Sequence, residues 1–466
     1  MLDDTKTKWA LKPLPEVVDL NPRLDKSGYR DDLEVSFVPM AEVEAGSGRM
    51  EVAHTKHFST VKKGYTPFQE GDVLFAKITP CMENGKMAVV PKLTNGIGFG
   101  STEFHVLRPH EGVDSRYVYH FVSSQAFRRE AAHHMTGAVG QKRVPTSFLE
   151  AASIPVPPFD QQQRVVAEIE KQFSRLDEAV ANLKHVKANL KRYKASVLKA
   201  AVEGKLTEDW RKQHPDGEPA SKLLDRILAE RKEKWNGKGK YKEPAKSDTN
   251  NRWPLPTGWD WASPDQLVQG DTNAICAGPF GIIFKAKALR PVGVPIIFLR
   301  HVAPGRYLRH KPGFMDEEKW KELFEPYSVF GGELLVTKLG EPPGVCAIYP
   351  EGIGPAMVTP DVIKMSVNST AILPKLMMHY LNSEIARRFA TGAAFGTTRL
   401  RVTLPIFREM PVPLPPLAEQ EQIVDEIERR LSVIEELEAT VEANLTRADR
   451  LRQSILSQAF SGRLNS

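Results

Sequence analysis

Two hydrophobic patterns alternate along this chain, and each occurs twice. Short apolar or alternating runs at 35–38, 73–78, 87–90 and 104–107 are separated by glycine and proline, which predicts strands closed by turns. Helical spacing follows over 115–132 and again over 373–390. Each strand-rich stretch with its late helices reads as one α+β globule.

After each globule the period changes to a heptad. Ile169, Leu176, Leu183, Leu190 and Val197 form one apolar seam, with Val166, Phe173, Val180, Lys187 and Lys194 beside it. The later seam runs through Ile427, Ile434, Val441, Ala448 and Ile455. Apolar residues at 3.5-residue spacing require a partner helix. A proline cluster precedes each helix, and Asp160 is the expected N-cap of the first, with Gln163 in the capping-box position.

The helices belong to an internal repeat. Residues 155–207 align without a gap on 413–465, an offset of 258. Pro155-Val-Pro-Pro-Phe159 meets Pro413-Leu-Pro-Pro-Leu417, Gln162 meets Gln420, and Gly204-Lys-Leu206 meets Gly462-Arg-Leu464. More weakly, Gly71-Asp-Val-Leu-Phe-Ala-Lys77 matches Gly332-Glu-Leu-Leu-Val-Thr-Lys338, and His120 and Arg128-Arg129 match His379 and Arg387-Arg388. The order is globule, helix, linker, globule, helix. Two similar frames with different surfaces suggest two related but different ligands.

Charge bears on how the helices pair. Residues 160–207 hold ten Lys/Arg and six Asp/Glu, whereas 418–465 hold six and ten. Opposite net charge favours the two helices pairing with each other over pairing with copies of themselves. The alternative is that both biases are solvated surface. Two antiparallel helices of about 70 Å would space the globules and relate them by an approximate two-fold.

The bulk properties narrow the field less. A chain of 466 residues suggests about three units of ~150 residues. A net charge of +6 permits a nucleic-acid partner without demanding one. Cys81, Cys276 and Cys346 show no disulfide or zinc spacing. No apolar run nears the ~18 residues needed to cross a bilayer, and Met1-Leu-Asp-Asp4 is unlike a signal peptide, so a soluble cytoplasmic protein with no membrane contact is expected. The segment 208–252 is a basic linker with one short amphipathic helix around Leu223, Leu224, Ile227, Leu228 and Trp235. Its stretch Lys238-Gly-Lys-Tyr-Lys242 reads as solvated linker, with phosphate contact as the alternative.

Candidate DNA contacts cluster late in each globule. Thr136-Gly-Ala-Val-Gly-Gln-Lys-Arg143 contributes Gln141, Lys142 and Arg143. Thr391-Gly-Ala-Ala-Phe-Gly-Thr-Thr-Arg399 contributes Thr397, Thr398 and Arg399, followed by Arg401. Glycine lets backbone approach DNA, Gln can read adenine, and Arg can read guanine. A plain solvated loop is the alternative, but the loop recurs at the same place in both globules. Arg128, Arg129, Arg387 and Arg388 suit phosphate better than bases. Lys77, Lys86 and Lys338 complete the basic candidates.

Catalytic motifs are not found. Val156-Pro-Pro-Phe159 puts valine where an adenine methyltransferase needs a polar group, and Leu414-Pro-Pro-Leu417 is no better. There is no Walker A. Gly96-Ile-Gly98-Phe-Gly100 is mis-spaced for a dinucleotide loop, Pro360-Asp361 lacks the acid-x-Lys of a nuclease, and His133-His134 lacks metal-ligand company. No catalytic and no metal residue is expected.

These features together resemble the specificity subunits of type I restriction-modification systems. The likeness rests on Phe37-Val-Pro-Met40, the run from Phe68-Gln-Glu-Gly-Asp72 to Glu83-Asn-Gly-Lys86, Gly204-Lys-Leu-Thr-Glu-Asp-Trp-Arg211 and Pro413-Leu-Pro-Pro-Leu-Ala-Glu-Gln420, and spans nearly the whole chain. It implies an α+β fold of two target recognition domains, 1–157 and 253–415, with helices at 158–207 and 416–466, in a pseudo-two-fold repeat with an antiparallel coiled coil. It further implies that each globule reads half of a split double-stranded DNA site. The helices would pair with each other and dock two modification subunits, with Ile169, Leu176, Leu183, Leu190, Val197, Ile427, Ile434, Val441 and Ile455 as the helix-helix and docking positions. Two restriction subunits would join them. S-adenosylmethionine, ATP and magnesium are expected on those partners, none on this chain. Alternatives are a subunit serving a methyltransferase alone, and a coiled-coil scaffold whose globules bind proteins.

Overall fold

In the computed structural model, residues 9–138, 140–235, 240–250, 252–279, 289–340, 342–393 and 400–464 are described. Two compact units emerge, residues 1–185 with 441–466, and residues 186–440. The division therefore falls inside the long helices rather than at their ends.

In the first unit, Leu11–Pro13 pairs antiparallel with Ser153–Pro155, closing the globule just before the first long helix. One four-stranded sheet runs Val18–Leu20, Phe104–Pro109, Val73–Ala76, Met87–Val89. A second runs His54–His57, Glu34–Val38, Ile97–Gly100, Thr66–Gln69, with a parallel pair at its centre. Gly98 and Gly100 sit inside this sheet because a Cβ at Gly98 would lie 2.2 Å from the Phe68 ring, and one at Gly100 2.5 Å from the Val38 carbonyl. The glycine run is thus a packed strand.

The second unit repeats the plan. Asp260–Ala262 pairs with Val412–Leu414, Ile275–Ala277 leads a sheet through Val362–Met365, Leu334–Thr337 and Cys346–Ile348, and Gly313–Met315 leads another through Val294–Ile297, Ala356–Val358 and Ser328–Val329. The parallel pair recurs between Val294–Ile297 and Ala356–Val358.

The late helical stretches are each two helices, not one. Ser115–Ser123 and Gln125–His133 are separated by Ser124, whose side chain accepts from Phe127 N, while Pro374–Leu381 and Glu384–Gly392 are separated by Asn382 and Ser383, with Ser383 accepting from Ala386 N. A serine hydroxyl in the capping position gives the backbone an alternative to continuing the helix. Periodicity alone carries across such a break, because both halves contribute apolar side chains to the same core.

The long helices, Phe159–Val202 and Leu417–Phe460, form an antiparallel pair. In the first unit Val166 and Ile169 from the start of one share a core with Ile455, Leu456, Ala459 and Phe460 from the end of the other. In the second unit Leu198, Ala201 and Val202 share a core with Ile423, Val424 and Ile427. Ile427, Ile434, Val441, Ala448 and Ile455 are all buried. On the first helix Ile169, Leu190 and Val197 are buried, while Leu176 and Leu183 are half-buried. Lys194 meets Glu435 at 3.9 Å in the sense the net charges predict, whereas Asp177 meets Arg452 in the reverse sense.

One local expectation changes. The first long helix starts at Phe159, so Asp160 lies inside it and the Pro158 carbonyl receives Gln161 N and Gln162 N. The linker holds the expected amphipathic helix, with a second short helix ahead of it. Glu208–Gln213 and Ala220–Glu233 are helical, and Ala220, Leu223, Leu224 and Ile227 enter the core of the second unit. An apolar stripe that finds a core outweighs many flanking lysines. Of the basic linker run, residues 236–239 lie outside the described residues.

Candidate nucleic-acid interface

In each globule the sheet's central strand delivers a lysine at its end. Gly71 (φ +82°) and Gly332 (φ +84°) make the turns that enter Val73–Ala76 and Leu334–Thr337, and a side chain at either angle would be strained. Lys77 and Lys338 follow these strands. Lys77 N donates to Glu103 O at 2.9 Å and Val144 N donates to Lys77 O at 2.8 Å. In the second globule Lys338 N donates to Asp361 O at 2.8 Å, and Val402 N to Lys338 O at 3.0 Å.

The same three chain segments bring an arginine onto a carboxylate. Arg143 Nε and Nη2 donate to the Glu103 carboxylate at 2.9 and 2.8 Å. Arg401 Nη2 donates to Asp361 Oδ1 at 3.2 Å. Lysine, carboxylate and arginine thus form an equivalent, net positive cluster in both globules. The Arg143 guanidinium holds the Glu103 carboxyl below its ordinary range, offset in part by desolvation. Lys338 is pushed down, chiefly by burial and then by Arg401, while Asp361 opposes the shift.

The loop carrying Arg143 is a tight hairpin. Thr136 and Arg143 exchange backbone hydrogen bonds at 3.0 and 2.8 Å, and Lys142 N donates to Thr79 Oγ1 at 3.1 Å. Gly137 (φ +120°) has no room for a side chain, since its Cβ would stand 2.9 Å from Gln141 O. Gln141 and Lys142 are exposed at the tip. Of the second loop, Thr397, Thr398 and Arg399 lie outside the described residues, while Arg401 pairs with Leu339 in an isolated bridge.

Other candidates are engaged within the chain. Arg128 Nε and Nη1 donate to Ser123 O at 3.0 Å and Glu83 O at 2.6 Å, and burial lowers its pKa. Arg387 is half-buried, and its Nη2 approaches Asn382 Oδ1 at 3.4 Å. Lys86 Nζ donates to Met40 O at 2.9 Å. Arg128 and Lys86 are thus held by carbonyl oxygens of their own chain, and Arg387 lies half-buried beside Asn382. Arg129 and Arg388 are exposed, the latter paired with Glu384 at 2.5 Å. Among the described residues no three His, Cys, Asp or Glu side chains gather as a metal site would need.

The repeat brought out Gln162 and Gln420 but not what they, or Glu419, hold. Gln162 accepts from Asp114 N at 2.9 Å and donates to Pro157 O at 2.9 Å; Gln420 accepts from Leu373 N at 2.9 Å and donates to Ala371 O and Pro415 O at 2.9 and 3.1 Å. One buried glutamine therefore fastens each helix start to its globule. Glu419, fully buried, accepts from Thr207 Oγ1 (2.6 Å), Arg211 Nη2 (2.7 Å) and Trp259 Nε1 (2.8 Å), joining linker, second globule and second helix. The repeat pairs Glu103 with Asp361 and Arg143 with Arg401 at the same 258-residue offset as the helices, a signal the sequence already carried.

Residues 6–192 and 321–447 match the family model of the type I restriction modification DNA specificity domain. The chain belongs to that family. DNA sequence specificity is the function this membership assigns. Within the family the chain is similar to the type I restriction enzyme EcoEI specificity subunit of Escherichia coli, 27% identical over 93% of this chain and 80% of that one. The EcoAI specificity subunit, also of Escherichia coli, is 28% identical over 92% and 78%. The fold agrees with a chain from a structure addressing complex assembly and conformational transition of the type I R-M system, at TM-score 0.67 and 18% identity over 98% of both chains. It also agrees with the HsdS subunit from Thermoanaerobacter tengcongensis, at TM-score 0.54 and 16% identity over 98% of this chain and 97% of that one. No helix of the described residues in this specificity-family chain is long and apolar enough to cross a membrane.

Proposed function

We propose that this chain is the DNA sequence-recognition subunit of a type I restriction-modification complex. Each globule reads one half of a split, asymmetric double-stranded site, and the helix pair docks two modification subunits. The observation that carries this reading is the repeated cluster of lysine, carboxylate and arginine, set at the same place on two globules whose surrounding surfaces differ. Such a duplication suits two half-sites of different sequence, because base contacts specify while the shared frame positions. The modification subunits supply S-adenosylmethionine and extrude the target adenine for methylation, and two restriction subunits supply ATP- and magnesium-dependent translocation and cleavage. This chain performs neither reaction.

The test is methyl transfer from labelled S-adenosylmethionine to DNA by the purified modification subunit, with and without this chain. Transfer is expected only with both present. Transfer or cleavage by this chain alone would contradict the reading, as would a stable complex that leaves DNA unmethylated.

A further inference from the structure

We propose that Glu103 and Asp361 are the positioning residues of the two recognition modules, each holding one arginine, Arg143 or Arg401, so that its outer edge reads a guanine. The inference rests on the functional reading above and deepens it.

The geometry of Arg143 carries it. A guanidinium has five N–H hydrogens in one plane. Glu103 receives the Nε hydrogen and one from Nη2, and Gln141 O receives one from Nη1 at 3.0 Å. Among the described residues this leaves one hydrogen on each of Nη1 and Nη2, the two nitrogens of the edge that Glu103 does not fill. That edge is the one a bidentate contact to guanine O6 and N7 requires. The same edge can take a phosphate bidentately, so base reading is told from phosphate contact by loss of discrimination at one position and not by a uniform loss of binding. The pair is also placed to act. The Arg143 side chain is 42% exposed while Glu103 is 24% exposed, so the carboxylate sits behind and the guanidinium in front.

The second globule pairs the same two positions with a different acid, there with the Asp361 and Arg401 side chains about equally exposed (38% and 35%). Asp361, one methylene shorter, holds Arg401 through a single contact at 3.2 Å. Retention of the pairing with a change of acid indicates that the charge and its position matter, not one packing solution. Lys77 and Lys338 beside the pairs keep each cluster net positive, so the carboxylate does not turn the face acidic toward DNA.

The experiment maps methylated adenines by long-read sequencing in a methylation-free host, using this chain with its modification subunit. Glu103→Gln and Arg143→Ala are expected to relax the same single G·C position in one half of the site, by roughly tenfold or more, leaving the other half intact. Asp361→Asn is expected to do the same in the other half. Glu103→Asp, the acid the second globule uses, should restore most of the discrimination. If Glu103→Gln does not fold, Arg143→Lys keeps the charge without the paired donors and should relax the same position. An unchanged motif in Glu103→Gln, relaxation in both halves, or an equal loss at all sites with discrimination intact would overturn the inference alone. Absence of a split motif with the unaltered chain would overturn it together with the functional reading.

Discussion

His120 and His379 stand at matching places of the repeat, each on the first late helix of its globule, against the long helices. Both are buried, and each has one ring nitrogen without a hydrogen-bond partner among the described residues: Nδ1 of His120 and Nε2 of His379. Burial pushes His120 down to about 3, with Arg116 and Arg452 adding to the shift. It pushes His379 down to about 4, with Glu428 opposing and Lys375 and Lys194 reinforcing. Both are therefore neutral in the folded chain. Below the unfolded value of about 6.5 only the unfolded chain takes up these protons, so their effect is full stability above that pH and progressive loss down to the folded values. At pH 5 each histidine should cost about 2 kcal/mol relative to pH 7. Thermal unfolding of the chain and of a His120→Phe, His379→Phe variant checks this: the variant should lose less stability on acidification. Equal pH dependence in the two would refute it. The histidines were legible as a repeated pair, but nothing in their spacing revealed burial. The roles the sequence hid best were those of acids and amides, such as Glu419 and Gln162, which depend on partners distant along the chain.

The heptad seam shows how far pattern alone reaches for an element. Seven-residue spacing identified both long helices and the side each buries, because a coiled coil is specified locally along its own length. It did not show where the seam opens. Leu183 is half-buried, whereas Ile434 is 1% exposed. Ile434→Ala should cost roughly 2–5 kcal/mol through lost burial and the cavity left behind, and Leu183→Ala less than half as much. Thermal unfolding of the two variants tests the order, and equal losses would show that the seam is uniformly packed. The breaks at Ser124 and Ser383 went unread because a serine inside an amphipathic stretch looks like one more solvent position. The linker's amphipathic helix was legible from Leu223, Leu224 and Ile227, whereas the short helix Glu208–Gln213 and the core that the stripe enters were not.

For the whole molecule the duplication is the governing fact. The same sheet orders, capping serines, helix-anchoring glutamines and cation–carboxylate clusters occur twice, in globules that share few side chains on their surfaces. The frame was legible in the sequence because its core and turn residues recur at nearly constant offset. The recognition surface was legible only in outline, since exposed loops are free to diverge and the partners of their side chains lie elsewhere in the chain. A duplicated frame with divergent loops makes one claim above all: each globule reads its own half of the DNA site. The direct measurement replaces 136–143 with the corresponding loop of a different recognition domain and maps methylated adenines for the altered and unaltered chains with the same modification subunit. The account predicts a new sequence in one half of the split site, with the other half unchanged. Altered sequence in both halves would contradict it.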